Sequence, residues 1–159
     1  MSKKQVLFLC TGNSARSQMA EGLVNHLLGD EWEAFSAGTR PSGYVHPLAI
    51  RVMAEIGIDI SGHRSKSVDE FRTASSERGI DLERVITLCD EAAKNCPAWL
   101  GEGRVTHVGF PDPAEATGSE EERLAVFRQV RDAIRERVSA VLSQDREPGL
   151  EVYFAPGRF

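Results

Sequence analysis

Apolar residues follow two rhythms along this chain. Gln5–Leu9 (QVLFL) is a short run with little polar interruption, the pattern of a strand buried on both faces of a parallel sheet. Met19, Leu23, Val24 and Leu27 then recur at helical spacing, with Gly29 placed as a stop. Trp32–Ser36 predicts a second strand, punctuated by Gly38. Pro47 suits the first position of a helix whose stripe is Leu48, Val52, Met53 and Ile56 and which closes at Gly57. A weaker helical pattern covers residues 67–78. Arg84–Leu88 and Val105–Phe110 predict the third and fourth strands. Ser119 with Glu122 spells a capping box that opens the longest helix, with Leu124, Phe127, Val130, Ile134, Val138 and Val141 on its apolar face.

Strands alternating with helices at this spacing predict an α/β domain, a three-layer sandwich around a four-stranded parallel sheet with right-handed crossovers. One domain over residues 1–145 accounts for the pattern. It lapses afterwards, and residues 146–159 read as a flexible tail or an appended remnant. With 159 residues, 41% hydrophobic and 27% charged, the chain can bury a sufficient core and is neither fibrous nor disordered. No apolar run reaches ten residues, which argues against a membrane span or a signal-peptide core. Met1-Ser2-Lys3-Lys4 leads straight into a strand, giving the expectation of a cytosolic protein. A net charge of −5 disfavours a nucleic acid or an anionic membrane as partner. Three cysteines in such a chain point to reactive thiols rather than a disulfide framework.

The chemistry concentrates between the first strand and the first helix, in Cys10-Thr11-Gly12-Asn13-Ser14-Ala15-Arg16-Ser17. Ligands of open α/β sheets bind beyond the carboxyl ends of the strands. A tight loop there turns successive backbone N–H groups inward and adds the positive end of a helix. Gly12 permits the positive φ such a cradle needs, and Asn13 tolerates it. Arg16 supplies a planar fork of donors for a tetrahedral oxyanion. Cys10 would feel both the helix dipole and the arginine, which favour the thiolate, a nucleophile aimed at the central atom of a bound oxyanion. The plain alternative is a small buried thiol and a solvated first-turn arginine; the position at a strand-to-helix switch argues against it.

LCTGNSARSQMAEG resembles the phosphate-binding loop of the low-molecular-weight protein tyrosine phosphatases and of the arsenate reductases that share their fold. The resemblance spans nearly all of residues 4–142 and includes SAG (Ser36–Gly38), GIDIS (Gly57–Ser61), TLCDEA (Thr87–Ala92) and the Asp-Pro pair at 112–113. Both branches need an acid to protonate the leaving oxygen, and Asp112, on a proline-stiffened loop after the fourth strand, suits that role. A turn-forming aspartate is the alternative. In the phosphatases an aromatic residue usually follows this Asp-Pro and helps hold a phosphotyrosine ring. Here Ala114 follows, which argues against an aryl phosphate.

Cys89 and Cys96 separate the branches. Resemblance to the thioredoxin-coupled arsenate reductases implies a relay among Cys10, Cys89 and Cys96. Cys10 attacks arsenate, Cys89 attacks the Cys10 sulfur and expels arsenite, and Cys96 then pairs with Cys89 for reduction from outside. Were residues 89–96 helical, seven residues would separate the two α-carbons by roughly 10.5 Å, against the 4.4–6.8 Å a disulfide needs, so this segment would have to unwind. Pro97 favours a helix end there. Inert thiols are the alternative for this pair; zinc is disfavoured by the spacing. The expected ligands are arsenate, with phosphate or sulfate as mimics, and thioredoxin or another thiol reductant, with neither a metal nor a cofactor. The competing function is a low-molecular-weight protein tyrosine phosphatase.

The chain departs from the resemblance at two points. Ala15 stands where such reductases often carry a further loop cysteine. Some members bind potassium beside the cradle through groups corresponding to Asn13, Ser36 and an acidic residue where this chain has Lys66. The expectation is that the Lys66 ammonium takes the cation's place and supports Asn13 and the loop; a solvated lysine is the alternative. His63 and Arg64 are read either as entrance residues or as solvated ones.

Overall fold

The structure, a computed structural model, describes residues 3–73, 82–89 and 104–143. Four strands, β1 (Lys4–Cys10), β2 (Trp32–Gly38), β3 (Leu82–Thr87) and β4 (Arg104–His107), form one parallel sheet in the order β2-β1-β3-β4. Helices α1 (Arg16–Leu27), α2 (Pro47–Ala54), α3 (Asp69–Thr73) and α4 (Glu120–Ser143) complete the described elements, with a single 3₁₀ turn at Pro113–Glu115. The α/β class and the parallel four-stranded sheet are those the sequence predicts.

β1 is the central constraint on the packing. Alternate side chains of a strand point to opposite faces, and both faces of this one are apolar. Val6 and Phe8 join α1, α2 and α4 in the larger core, while Leu7 and Leu9 pack with Ala37, Val68, Phe71 and Val85 on the other side. Every residue of the predicted α4 stripe is buried. Its capping box forms in both directions, Glu122 N–H donating to Ser119 Oγ at 3.1 Å and Ser119 N–H to Glu122 Oε1 at 3.0 Å. α2 closes at Gly57, whose φ of +82° lets Ile58 N–H turn back to Met53 O.

Details differ from the pattern. β2 runs on to Gly38 because its end pairs with Cys10, and β4 stops at His107, short of the predicted Phe110. Leu27 is 48% exposed, while Val24 and Leu28 carry the end of α1 onto the core. Gly29 lacks the left-handed backbone of a glycine stop. Within residues 67–78 the described helix is Asp69–Thr73; 74–78, like Cys96 and the proposed tail from 146, lie outside the described residues. None of the described helices is long and apolar enough to cross a membrane.

Gly22 on α1 faces Ile60 and Met53. A β-carbon there would lie 2.7 Å from Ile60 Cγ2, a buried, stiffly branched side chain. Gly22→Ala therefore sets a helix-propensity gain of about 1 kcal/mol against an overpacking cost of about 1–3 kcal/mol. The expected outcome is a small net loss of stability, read by urea unfolding; a gain would show that α1 can shift freely against α2.

Candidate active site

The loop after β1 is shaped by where its peptide groups find partners. Thr11 O accepts from Arg40 N–H at 2.9 Å, Gly12 O from Ser42 N–H at 2.9 Å and from Ser65 Oγ at 3.1 Å, and Ser14 O from His46 N–H at 2.8 Å. These carbonyls are thereby held outward by the segments that follow β2 and α2. Among the described residues, none of the backbone N–H groups of Gly12–Ser17 donates to a protein acceptor. Such a run of donors at a helix N-terminus is an anion cradle. The first turn of α1 carries no acidic residue to compete with an anion.

Of the two positions the sequence allows for the positive φ, Asn13 takes it, at +49°. Asparagine tolerates this backbone, and here its side chain is fully engaged. Asn13 Oδ1 accepts from Lys66 N–H (2.9 Å) and from Gln18 Nε2 (3.0 Å), and Asn13 Nδ2 donates to Ser17 Oγ (2.7 Å). Because the Ser17 hydroxyl receives that proton, its own is free for Cys10 Sγ, 2.9 Å away. Cys10 is a free thiol, 2% exposed, at the last position of β1.

Arg16 gathers the other predicted residues. It is 7% exposed, and its Nη1 donates to Phe110 O at 3.1 Å and to Leu88 O at 3.5 Å. Those carbonyls belong to the segments carrying Asp112 and Cys89. Asp112 Oδ2 lies 3.7 Å from Arg16 Nη2, while Oδ1 caps the 3₁₀ turn by accepting from Ala114 N–H at 3.0 Å. Cys89 follows Leu88, whose N–H bonds to Leu9 O, so it sits at the same sheet edge as Cys10, one strand over. It is buried and disulfide-bonded. Thr11, Ala15 and Ser17 complete the cradle; Ala15 is buried at the N-cap of α1.

Behind the loop lies a polar cluster that sequence reasoning found only in part. Lys66 Nζ approaches Ser36 Oγ (3.4 Å), Arg64 O (3.1 Å) and Glu21 Oε1 (3.7 Å), with its side chain 12% exposed. Burial pulls the Lys66 ammonium below its usual range, and the Glu21 carboxylate opposes that shift. Ser36 Oγ donates to Glu21 Oε1 at 2.5 Å. His63 reaches Gln18 Oε1 through Nδ1 (3.0 Å) and lies 3.7 Å from Glu21 Oε2, so it supports the loop from behind; Arg64 pairs outward with Glu70. Gln18 and Glu21 fall inside the LCTGNSARSQMAEG stretch but were given no role; their mutual spacing of three, on one helical face, was the available signal. Among the described residues no group of acidic, histidine or cysteine side chains could hold a metal ion.

A thiol at the end of a central parallel strand, under a loop of free amides and a buried arginine, defines a cysteine-dependent oxyanion site. Residues 5–147 match the low molecular weight phosphotyrosine protein phosphatase family, and the chain belongs to it. It is 50% identical over 138 residues to an arsenate reductase of Halalkalibacterium halodurans, covering 87% of this chain and 94% of that one. Among solved structures it resembles an arsenate reductase in its phosphate-binding state (34% identity, TM-score 0.68, 89% of this chain and 98% of the other). It also resembles the thioredoxin-dependent arsenate reductase Cg_ArsC1' of Corynebacterium glutamicum (29% identity, TM-score 0.58, 89% and 64%).

Gly38 abuts the cradle. A β-carbon there would meet Thr11 O at 2.5 Å and Asn13 N at 3.0 Å, backbone atoms that cannot rotate away. Gly38→Ala should lower stability by about 1–3 kcal/mol and weaken phosphate binding at least tenfold, checked by calorimetric titration. Unaltered phosphate affinity would mean that the loop geometry tolerates displacement.

Proposed function

We propose that this protein is an arsenate reductase working through a three-cysteine relay. The observation that carries the reading is the joint placement of Cys10, Arg16 and Asp112 around one cradle, with Cys89 at the neighbouring strand end. Two-fifths to half of the sequence being shared with proteins named arsenate reductase supports the choice of substrate.

Arsenate binds with its oxygens on the Gly12–Ser17 amides and the Arg16 fork, which places arsenic over the Cys10 sulfur. The thiolate, receiving a hydrogen bond from Ser17, attacks arsenic. Asp112 gives its proton from Oδ2, the oxygen not occupied by Ala114, and the displaced oxygen leaves as water. Cys89 then attacks the Cys10 sulfur. The electrons of the sulfur–arsenic bond stay on arsenic, As(V) becomes As(III), and arsenite departs from a Cys10–Cys89 disulfide. Attack by Cys96 on Cys89 restores the Cys10 thiolate, and two electrons from thioredoxin or another dithiol reduce the bond that remains. A disulfide at Cys89 that leaves Cys10 free is the condition such a relay reaches before external reduction. Ala114 is exposed and offers no ring to clamp an aryl ester, which counts against the phosphatase alternative.

Cys10→Ser should abolish arsenite release. Cys89→Ser should permit a single attack but no turnover with thioredoxin as the sole reductant; steady-state turnover at the wild-type rate would eliminate the relay. Turnover of p-nitrophenyl phosphate without any arsenite would return the protein to the phosphatases.

The same reading assigns Lys66 as an internal cation for the loop. Its ammonium lies among Ser36, Glu21 and the Arg64 carbonyl, and its backbone N–H holds Asn13. Arsenite release should therefore be indifferent to replacing sodium by potassium in the assay. A several-fold potassium activation of the wild-type protein would contradict this assignment.

A further inference from the structure

His46 lies where four parts of the molecule meet. Its backbone N–H holds Ser14 O of the cradle at 2.8 Å, which turns the following peptide so that Ala15 N–H faces the oxyanion. Its Nδ1 accepts from Leu48 N–H at 3.1 Å and caps α2. Its ring packs on Phe127 of α4, with centroids 4.8 Å apart, and near Tyr44, at 6.4 Å. α4 in turn packs on the 3₁₀ turn that Asp112 opens.

We propose that His46 is a positioning residue of this reaction: its backbone N–H holds the cradle while its neutral ring caps α2 and packs on α4, which carries the Asp112 turn, so that its protonation slows turnover. The proposal rests on Asp112 acting as the acid in arsenate reduction.

The chemistry of the cap carries the argument. A helix N-cap works by accepting an N–H, and of the two imidazole nitrogens only the unprotonated one can accept. With Nδ1 so engaged, the neutral ring keeps its proton on Nε2. A proton added at Nδ1 removes the cap and sets a full positive charge at the positive end of α2. The charged groups bearing on the ring are Arg123 of α4, which disfavours the imidazolium, and Asp112, which favours it. Tyr44 of its own loop, Ser14 of the cradle, and Pro47 and Leu48 of α2 are uncharged neighbours. Burial first and Arg123 second hold His46 below its ordinary value of 6.5, against the pull of Asp112.

The linkage has a definite sign. The folded chain resists a proton that the unfolded chain accepts, so the contribution of His46 to stability is intact above pH 6.5 and is lost as pH falls from there through the lowered folded value. His46→Asn separates the two roles of the side chain, because asparagine caps a helix but does not titrate.

Arsenite release is measured with arsenate, thioredoxin and thioredoxin reductase between about pH 5.5 and pH 8.5. At about pH 8 His46→Asn should keep wild-type turnover within a factor of about two, while His46→Ala, without an acceptor, should lose about fivefold, the equivalent of one cap. On acidification the wild type should fall about fivefold further than His46→Asn. Coincident pH profiles, or an asparagine variant as impaired as alanine, would overturn the proposal. Thermal unfolding midpoints over the same pH range need no turnover and decide the matter even if the reductase reading fails. The acid loss of stability should be smaller in His46→Asn than in the wild type, and equal losses would overturn the role of His46. An Asp112→Asn variant as active as wild type would overturn both the acid assignment and the catalytic half of the proposal.

Discussion

The site depends on one constraint, that the peptide groups after Cys10 must turn their N–H ends inward together. A peptide group has two ends, and turning one inward commits the other to face outward, where a buried carbonyl needs a donor. The protein meets this from segments far along the chain: Arg40, Ser42, His46 and Ser65 donate to Thr11, Gly12 and Ser14. The cradle is thus held open from behind, and its amides stay unpaired until an anion arrives. Preorganisation of this kind places the reorganisation cost in folding and not in binding.

Arg16 sets the second dimension of the site. A guanidinium only 7% exposed must be hydrogen-bonded, and carbonyls of Leu88 and Phe110 supply the bonds. Leu88 directly follows β3 and Phe110 lies three residues past β4, on the connections that lead to Cys89 and Asp112. One side chain therefore does two things, presenting positive charge to the cradle and fixing the distance at which the acid stands. The long contact to Asp112, 3.7 Å, leaves that carboxylate free to act on a ligand while holding it in place.

Strand and helix order were legible because β1 and α4 keep clean periodicities: QVLFL has room for nothing but burial, and the α4 stripe recurs without a break. That Cys10, Arg16 and Asp112 would gather at one loop was legible from position at the carboxyl ends of strands, together with the resemblance of the loop. What was not legible depends on contacts between distant segments. That Asn13 rather than Gly12 takes the left-handed backbone depends on Lys66, Gln18 and Ser17 satisfying its side chain, and the Gln18 bond was not read from the sequence. Glu21 drew no reading from the sequence, yet it lies against Ser36, His63 and Lys66. Gly38 read as strand punctuation; its requirement is the close approach of Thr11.

Glu21 also shows how charge is distributed around an anion site in a chain of net charge −5. A carboxylate 15% exposed behind the cradle would, unbalanced, repel the very dianion the amides attract, and low-dielectric surroundings would strengthen that repulsion. Lys66 Nζ, 3.7 Å away, balances it, its Oε1 takes the Ser36 proton as well, and His63 Nε2 stands 3.7 Å from its Oε2. The carboxylate in turn opposes the downward shift that burial puts on the Lys66 ammonium. The pair is therefore nearly silent toward the ligand while remaining firm toward Asn13, whose Oδ1 is held by the Lys66 amide. Arg16 and the amides bring positive charge to the cradle, and the charges behind it serve to keep the loop in shape.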